Sequence, residues 1–177
     1  MKKLCVFASG NGSNFEAIAK EIPVSLLVCN KPNAKVIDRA EKLGIETYIV
    51  DTKKPKEIFE TEIISKLNEY DIDFIALAGY MRLIGPTLLN AFENKIINIH
   101  PTLLPSFVGK DGIKRAFDYG VKITGVTVHY VDSGMDTGKI IAQVAILIEQ
   151  DDTLETLSEK IHKEEHKLYV KVLKEML

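Results

Sequence analysis

The chain has 177 residues, of which 46% are hydrophobic and 27% charged, a balance typical of one globular domain with a full core. Its net charge is −2 with both signs interspersed, which indicates neither a basic surface for nucleic acid nor an acidic tail. No apolar stretch approaches the ~20 residues of a membrane span. We therefore expect a cytoplasmic protein, with Cys5 and Cys29 as buried reduced thiols inside apolar runs.

Short apolar runs alternate with helical patterns through the first hundred residues. The runs predict buried strands at residues 4–8, 24–29, 47–50, 74–77 and 96–99. The patterns between them predict helices at residues 14–20, 34–43, 55–70 and 86–92. This β-α-β-α order implies an α/β protein with a mainly parallel sheet that is covered by helices on both faces.

The second half of the chain has a different pattern. A short helix is predicted at residues 113–119, followed by two longer strands at 124–131 and 139–148. A Gly/Asp turn joins these strands, so we expect an antiparallel pair. A long helix then runs from residue 153 to about 177, with Asp152 and Glu155 as a cap-like pair at its start. No repeat or linker divides the sequence, and residues 1–177 are predicted to form a single domain.

The first strand leads into the glycine-rich segment Ser9-Gly10-Asn11-Gly12-Ser13-Asn14 and then into a helix. Glycines permit positive φ angles, so successive N–H groups can point into one concavity and bind an anion at the helix N-terminus. Ser13 and Asn14 can add side-chain donors or cap the helix. The segment lacks the lysine of a Walker motif and the third glycine of the dinucleotide fingerprint. A glycine-rich turn without a ligand is an equal alternative.

A second loop, residues 78–86, follows the fourth strand and places an arginine among apolar side chains. Met81 and Ile84 can line a slot for a flat ring, and Arg82 can address its polar edge. An ordinary exposed arginine is the alternative. The two loops and the end of the fifth strand all follow the carboxyl ends of predicted parallel strands, where open α/β sheets bind ligands.

Asn98 and His100 end the fifth strand, where their spacing of two places both side chains on one face. Pro101 keeps His100 extended. An amide donor beside an imidazole is suited to stabilising a developing oxyanion in acyl-type transfer. Asp136, in a later loop, offers a carboxylate that can orient the imidazole or accept a proton. A structural histidine with satisfied hydrogen bonds is the alternative for His100.

Other polar residues carry less specific signals. We expect His129 to pack in a strand or face solvent, and His162 and His166 to lie on the solvated side of the last helix. Glu165 falls on the apolar stripe of that helix, where it either meets a buried donor or lines a pocket. Asp132 can be a turn residue or part of the site. No set of side chains has the spacing of metal ligands.

Five segments together resemble the folate-dependent formyltransferases over essentially the whole chain, and in particular the members that formylate glycinamide ribonucleotide in purine biosynthesis. The segments are SGNGSN at 9–14, AGYMR at 78–82, NIHPTLLPSF at 98–107, GVTVHYVDSGMDTG at 125–138 and EEHKLY at 164–169. Each is weak alone, but their order and separations make the resemblance specific.

The resemblance implies a Rossmann-like fold, with residues 1–100 as a nucleotide-binding half and residues 101–177 as a formyl-transfer half. It implies 10-formyltetrahydrofolate as co-substrate, glycinamide ribonucleotide as acceptor, no metal, and a monomer or homodimer. The family's site residues correspond here to a catalytic trio of Asn98, His100 and Asp136, a phosphate loop of Gly12, Ser13 and Asn14, a ribose-binding Glu165, and a folate site of Met81, Arg82, Ile84 and Asp132.

Two departures from the family pattern stand out. Residues 108–112 do not match the Pro-Gly and histidine-bearing version of many members, so we expect a mobile loop whose contacts stay unassigned. The chain also stops soon after the last helix, where some members continue.

Three alternative functions remain. One is a 10-formyltetrahydrofolate hydrolase, although such relatives carry an N-terminal regulatory domain for which we expect no room before Leu4. Another is formylation of charged initiator tRNA, which goes with an added nucleic-acid-binding domain. The third is a non-catalytic nucleotide- or folate-binding module.

Overall fold

A seven-stranded sheet in the order β3-β2-β1-β4-β5-β6-β7 forms the centre of the computed structural model, which describes residues 2–177. The first five strands are parallel, and β6 and β7 are antiparallel to their neighbours. The strands are β1 (Leu4–Ala8), β2 (Val24–Cys29), β3 (Thr47–Ile49), β4 (Phe74–Leu77), β5 (Ile96–His100), β6 (Ile123–Tyr130) and β7 (Ile140–Leu147). The predicted fold class is confirmed, and each strand end lies within one residue of its prediction.

In the described part of the chain, six helices cover the sheet: α1 (Ser13–Glu21), α2 (Lys35–Lys42), α3 (Lys56–Glu69), α4 (Pro86–Ala91), α5 (Gly112–Tyr119) and α6 (Leu154–Met176). None of the helices in residues 2–177 combines the length and apolar character that a bilayer crossing requires. Their order in the chain follows the sequence prediction.

Helix α6 is capped by Thr153 and Thr156, and the predicted cap of Asp152 and Glu155 was wrong. Thr153 is the N-cap, and its hydroxyl accepts a hydrogen bond from the Thr156 N–H at 3.2 Å. The Thr156 hydroxyl accepts in turn from the Thr153 N–H at 2.9 Å, which closes a capping box. Asp152 supports this box by accepting from the Thr156 hydroxyl at 2.8 Å, whereas Glu155 only adds charge to the first turn. A threonine at the N3 position thus replaces the expected acidic partner.

Alternation along β1 divides the core into two layers. Leu4, Val6 and Ala8 face the layer formed with α1, α2 and α6, whereas Cys5 and Phe7 face α3 and α4. All five side chains are fully buried, as expected for a central strand of a sheet covered on both faces. Cys5 and Cys29 are buried free thiols, as predicted.

Helix α6 is joined to the sheet by Tyr169, whose side chain is fully buried. Its hydroxyl lies 2.8 Å from the carbonyl oxygen of Leu77 and 3.1 Å from that of Ile97, to which it donates a shared hydrogen bond. Burial raises the pKa of this phenol well above its usual value, so the hydroxyl keeps its hydrogen. The contact therefore fixes α6 beside the carboxyl end of β4 and the first residues of β5.

Candidate active site

The predicted site residues all line one open cleft of about 530 Å³ at the carboxyl ends of the parallel strands. The cleft opens beside the parallel strands β1 and β4. The strand order runs outward in opposite directions from this pair, and open α/β sheets bind ligands at such a point. It contains the residues predicted from sequence: Gly12, Ser13, Asn14, Met81, Arg82, Ile84, Asn98, His100, Asp132, Asp136 and Glu165.

His100 lies between two oxygen atoms and is 5% exposed. Its Nε2 is 3.0 Å from the carbonyl oxygen of Phe107, and its Nδ1 is 3.4 Å from Oδ2 of Asp136. Since both neighbours are hydrogen-bond acceptors, the surroundings suit an imidazole that carries a hydrogen on each nitrogen. The predicted pairing of His100 with Asp136 is present in the structure.

Asp136 is held in place by a strained backbone and a main-chain donor. Its φ angle is +55°, and its Oδ2 accepts from the Gly109 N–H at 3.0 Å. The interaction with His129 is the largest cause of a lowered pKa for this carboxyl, and Gly109 and His100 act in the same direction against partial burial. At 3.7 Å the His129–Asp136 contact is electrostatic, since a direct hydrogen bond would be shorter. The carboxylate is therefore ionised at neutral pH.

Asn98 makes a contact that the sequence did not indicate. Its Nδ2 lies 3.2 Å from Nε2 of His129, the residue directly opposite it in the β5–β6 ladder. His129 packs in β6, one of the two positions expected for it, and its buried ring also lines the cleft, which was not expected. The register between β5 and β6 places His129 against Asn98, and a strand pattern read along one segment does not show that register.

The glycine-rich loop adopts the geometry of an anion cradle. Gly12 has φ +81° and is the N-cap of α1, and a Cβ on it would lie 2.5 Å from a methyl carbon of Val36. Glycine is therefore required here by both backbone angle and space. Neither Ser13 nor Asn14 caps the helix, and Oδ1 of Asn14 is buried without a hydrogen-bond partner. The N–H groups of this helix start are thus left for a ligand.

The second predicted loop forms the opposite side of the cleft. Both Ile84 and Met81 line the cleft, but Ile84 is buried in the core whereas the Met81 side chain is 59% exposed. The Arg82 guanidinium donates to the Thr52 carbonyl oxygen at 2.7 Å and lies 6.0 Å from the centre of the Phe59 ring. Arg82 is thus held along the outer edge of the cleft.

Asp132 acts as a turn residue at the rim of the cleft. Its Oδ1 accepts hydrogen bonds from the Gly134 N–H at 3.0 Å and from the Thr137 hydroxyl at 2.6 Å. These contacts shape the loop that carries Asp136 and match the turn alternative considered from sequence.

Glu165 and His162 form a pair on the face of α6 that borders the cleft. The buried Glu165 carboxylate is 2.7 Å from Nδ1 of His162, whose side chain is 52% exposed. The hydrogen bond to Glu165 is the main cause of a raised pKa for His162. His162 therefore faces solvent in part, as predicted, but it also lines the cleft.

His166 departs from the solvated position expected for it. Its ring is partly buried, its Nε2 has no hydrogen-bond partner, and burial lowers its pKa. Helix α6 packs against α1, α5, β6 and β7, and this broad contact leaves less of the helix solvated than the sequence pattern indicates.

Residues 108–112, whose contacts the sequence left unassigned, border the cleft between β5 and α5. Gly109 donates to Asp136, and the Arg115 guanidinium donates to the Val108 carbonyl oxygen at 2.6 Å. The preceding Leu104–Pro105 peptide bond is cis. This segment therefore connects the loop that follows His100 with the loop that carries Asp136.

Within residues 2–177, no group of three or more His, Cys, Asp or Glu side chains has an arrangement that could hold a metal ion. The polar groups of the cleft include the Asn98 amide, the His100 and His129 rings, the Asp136 carboxylate and the N–H groups at the start of α1. Such a set can bind an anion at one end and stabilise developing negative charge at the other.

A family model described as formyl transferase matches residues 2–173. The chain belongs to the formyl transferase family. It is an enzyme of the formyltransferase class, and the resemblance noted in the sequence is confirmed.

Several similar proteins come from bacteria. Over the full chain and 95% of its relative, this formyl transferase is 56% identical to phosphoribosylglycinamide formyltransferase of Bacillus subtilis. The crystal structure of glycinamide ribonucleotide transformylase 1 from Geobacillus kaustophilus has a TM-score of 0.96 at 53% identity, covering 100% of this chain and 99% of that one. Phosphoribosylglycinamide formyltransferase from Streptococcus pneumoniae has the same TM-score at 46% identity, covering 99% of both chains.

The sequence analysis did not place two of the side chains that line the cleft of this formyl transferase, those of His129 and His162. The signal for His162 was present, since it precedes Glu165 by three residues and shares its side of a helix. The signal for His129 was weaker, because it depends on the register between two strands.

Proposed function

We propose that the chain transfers the formyl group of 10-formyltetrahydrofolate to the amine of glycinamide ribonucleotide, a step of purine biosynthesis. The observation that carries this proposal is the placement of Asn98, His100 and Asp136 in one cleft with the anion cradle at Gly12. The 56% identity to the Bacillus subtilis enzyme over the whole chain supports the choice of substrates.

The ribonucleotide would bind at the α1 side of the cleft. Its phosphate accepts hydrogen bonds from the N–H groups at Gly12, Ser13 and Asn14, which the positive φ angle of Gly12 turns toward the cleft. Glu165 accepts from the ribose hydroxyls, because its buried carboxylate faces the same cleft and is held by His162.

The reduced folate would bind on the opposite side, between the second loop and the loop that carries Asp136. Met81 and Ile84 supply apolar surface, while Arg82, Asp132 and the main chain near Asp136 address the polar edges of the ring. Both halves of the chain then serve both ligands, since Glu165 of the second half reaches the ribonucleotide and Arg82 of the first half borders the folate. The reaction requires no metal.

In the chemical step, the amine attacks the formyl carbon and a tetrahedral intermediate with an oxyanion forms. One Asn98 amide hydrogen is directed at His129, which leaves the other for the oxyanion. Protonated His100 supplies a second donor, and its Nε2 hydrogen, now directed at the Phe107 carbonyl oxygen, is shared with the formyl oxygen when folate binds.

Asp136 orients His100, because its carboxylate oxygen lies 3.4 Å from Nδ1 and can accept a hydrogen carried there. The amine loses one proton and the departing folate nitrogen gains one as the intermediate collapses. Asp136 assists this transfer through water.

A spectrophotometric assay of folate turnover tests the proposal directly. The enzyme is mixed with 10-formyltetrahydrofolate, or its dideaza analogue, with and without glycinamide ribonucleotide. We expect turnover only when the ribonucleotide is present. Turnover without it would identify a hydrolase, and ligand binding with no turnover in either reaction would identify a non-catalytic module.

A further inference from the structure

Ser9 lies where three loops meet at the carboxyl ends of β1, β2 and β4, and its side chain is 2% exposed. Its hydroxyl donates to Oδ1 of Asn30 at 2.5 Å and accepts from the N–H of Met81 at 2.8 Å. Its own N–H donates to the Gly79 carbonyl oxygen at 3.1 Å. One small side chain thus joins the glycine-rich loop, the end of β2 and the loop after β4.

The segment 81–84, which we name the folate-side wall, depends on few buried contacts. The chain turns sharply before it, where Gly79 has φ +76°. At its far end, the buried Glu60 carboxylate accepts from the Gly85 N–H at 2.5 Å. The contacts between these points, from Arg82 to Thr52 and from Lys56 to Leu83, are exposed. Ser9 is therefore the buried side-chain contact at the near end of the wall.

The glycine-rich loop does not depend on the Ser9 hydroxyl in the same way. Its main chain is held by the Val36 N–H, which donates to the Gly10 carbonyl oxygen at 3.1 Å. The Arg39 side chain also donates to the Asn11 carbonyl oxygen at 2.8 Å. Neither contact involves the Ser9 hydroxyl. Removing that hydroxyl should therefore loosen the folate-side wall more than the glycine-rich loop.

We infer that Ser9 is a positioning residue that fixes the folate-side wall through the Met81 N–H and thereby sets the affinity for the reduced folate. This inference rests on the proposed function. Ser9 does not line the cleft and acts on it through the Met81 N–H. Without its hydroxyl, the Met81 N–H loses its partner, and the wall is no longer held in one arrangement before the ring binds.

Steady-state kinetics of Ser9→Ala test the inference. We expect the KM for 10-formyltetrahydrofolate to rise about five- to tenfold, the loss expected for one hydrogen bond. The KM for the ribonucleotide and the kcat stay within about twofold. Ser9→Thr, which keeps the hydroxyl, restores the folate KM. Thr124→Val is the matched control, because it removes a buried hydroxyl that has no partner and lies outside the cleft.

An unchanged folate KM in Ser9→Ala would overturn the inference. An equal rise in the KM values for the folate and the ribonucleotide would also overturn it, as would the same rise in folate KM in Thr124→Val. Either result would indicate that Ser9 has only a general structural role. If Ser9→Ala does not fold, Asn30→Ala decides the question, because it removes the acceptor of the Ser9 hydroxyl and should raise the folate KM selectively by a smaller factor. Absence of ribonucleotide-dependent turnover in the unmodified enzyme would contradict the proposed function instead, and calorimetric binding of the dideaza analogue would then test Ser9.

Discussion

His129 orients the Asn98 amide through a hydrogen-bond chain that begins at the main chain. Its Nδ1 is 2.8 Å from the Tyr130 carbonyl oxygen, which only accepts, so Nδ1 carries the hydrogen. Nε2 of the same ring lies 3.2 Å from Nδ2 of Asn98. Because the His129 side chain is 3% exposed, water does not compete for these contacts. His129 therefore selects which way the Asn98 amide faces.

The pair of His162 and Glu165 provides a prediction about pH. The hydrogen bond to Glu165 raises the pKa of His162 above its ordinary value, against the effect of partial burial. The pair therefore stabilises the folded state below the pKa of an unfolded histidine, and this stabilisation is lost as pH rises through the higher folded pKa. We predict that Glu165→Gln lowers the pKa of His162, as measured by a proton NMR titration of the histidine resonances.

His162→Asn is the control for this titration, since it removes the resonance to be assigned. The difference in unfolding free energy between the unmodified protein and His162→Asn should also shrink as pH rises through the folded pKa. A His162 resonance that titrates at the same pH with and without the Glu165 carboxylate would show that the pair does not form in solution.

At the scale of elements, α4 receives its N-terminal cap from another helix. The N-cap residue is Gly85, which has no side chain to offer. Glu60 of α3, which is 2% exposed, accepts from the Gly85 N–H at 2.5 Å and from the Leu88 N–H at 3.1 Å. A carboxylate at a helix N-terminus is also favoured by the helix dipole. This contact joins α3 to the loop that forms one side of the cleft.

We predict that Glu60→Ala lowers the free energy of unfolding by about 1–3 kcal/mol, because two buried N–H groups lose their acceptor. Glu60→Gln should lose less, since it keeps one oxygen. Urea unfolding followed by circular dichroism measures both changes. Glu57→Ala, at an exposed position on the same helix, is the control. A Glu60→Ala variant as stable as this control would contradict the capping role.

The sequence predicted the positions of helices and strands more accurately than the contacts between them. The apolar runs predicted each strand to within one residue, because buried parallel strands have a continuous apolar pattern that turns interrupt. The capping by Glu60 could not be predicted, since it depends on how two helices meet. The role of His129 was missed for a similar reason, because it depends on the β5–β6 register.

For the whole molecule, the strand order brings distant parts of the sequence to one cleft. Strands β1 and β4 are neighbours in the sheet, so the loops that follow them face each other. In the sequence, the two strands begin 70 residues apart, at Leu4 and Phe74. Helix α6 then brings Glu165 to the same cleft, with Tyr169 joining the helix to the sheet one turn later. The motifs indicated these members of the site, but their distances required the fold.

Tyr169 should stabilise this arrangement without taking part in chemistry. We predict that Tyr169→Phe lowers the free energy of unfolding by about 1 kcal/mol, because the ring still fills its site while its hydrogen bond to Leu77 and Ile97 is lost. The kcat should stay within about twofold. Urea unfolding and steady-state kinetics on the same preparation measure the two quantities. A large fall in kcat at unchanged stability would show that Tyr169 acts on the site itself.

The central claim is that Asn98 and His100 stabilise an oxyanion, and the kcat values of Asn98→Ala and His100→Ala test it most directly. Loss of one such donor typically costs about 10²–10³ in turnover. We predict a fall of this size in each variant, with the Kd for the dideaza folate analogue changed by less than about threefold. Circular dichroism and the melting temperature establish that each variant is folded. Near-normal turnover by either folded variant would contradict the role assigned to that residue.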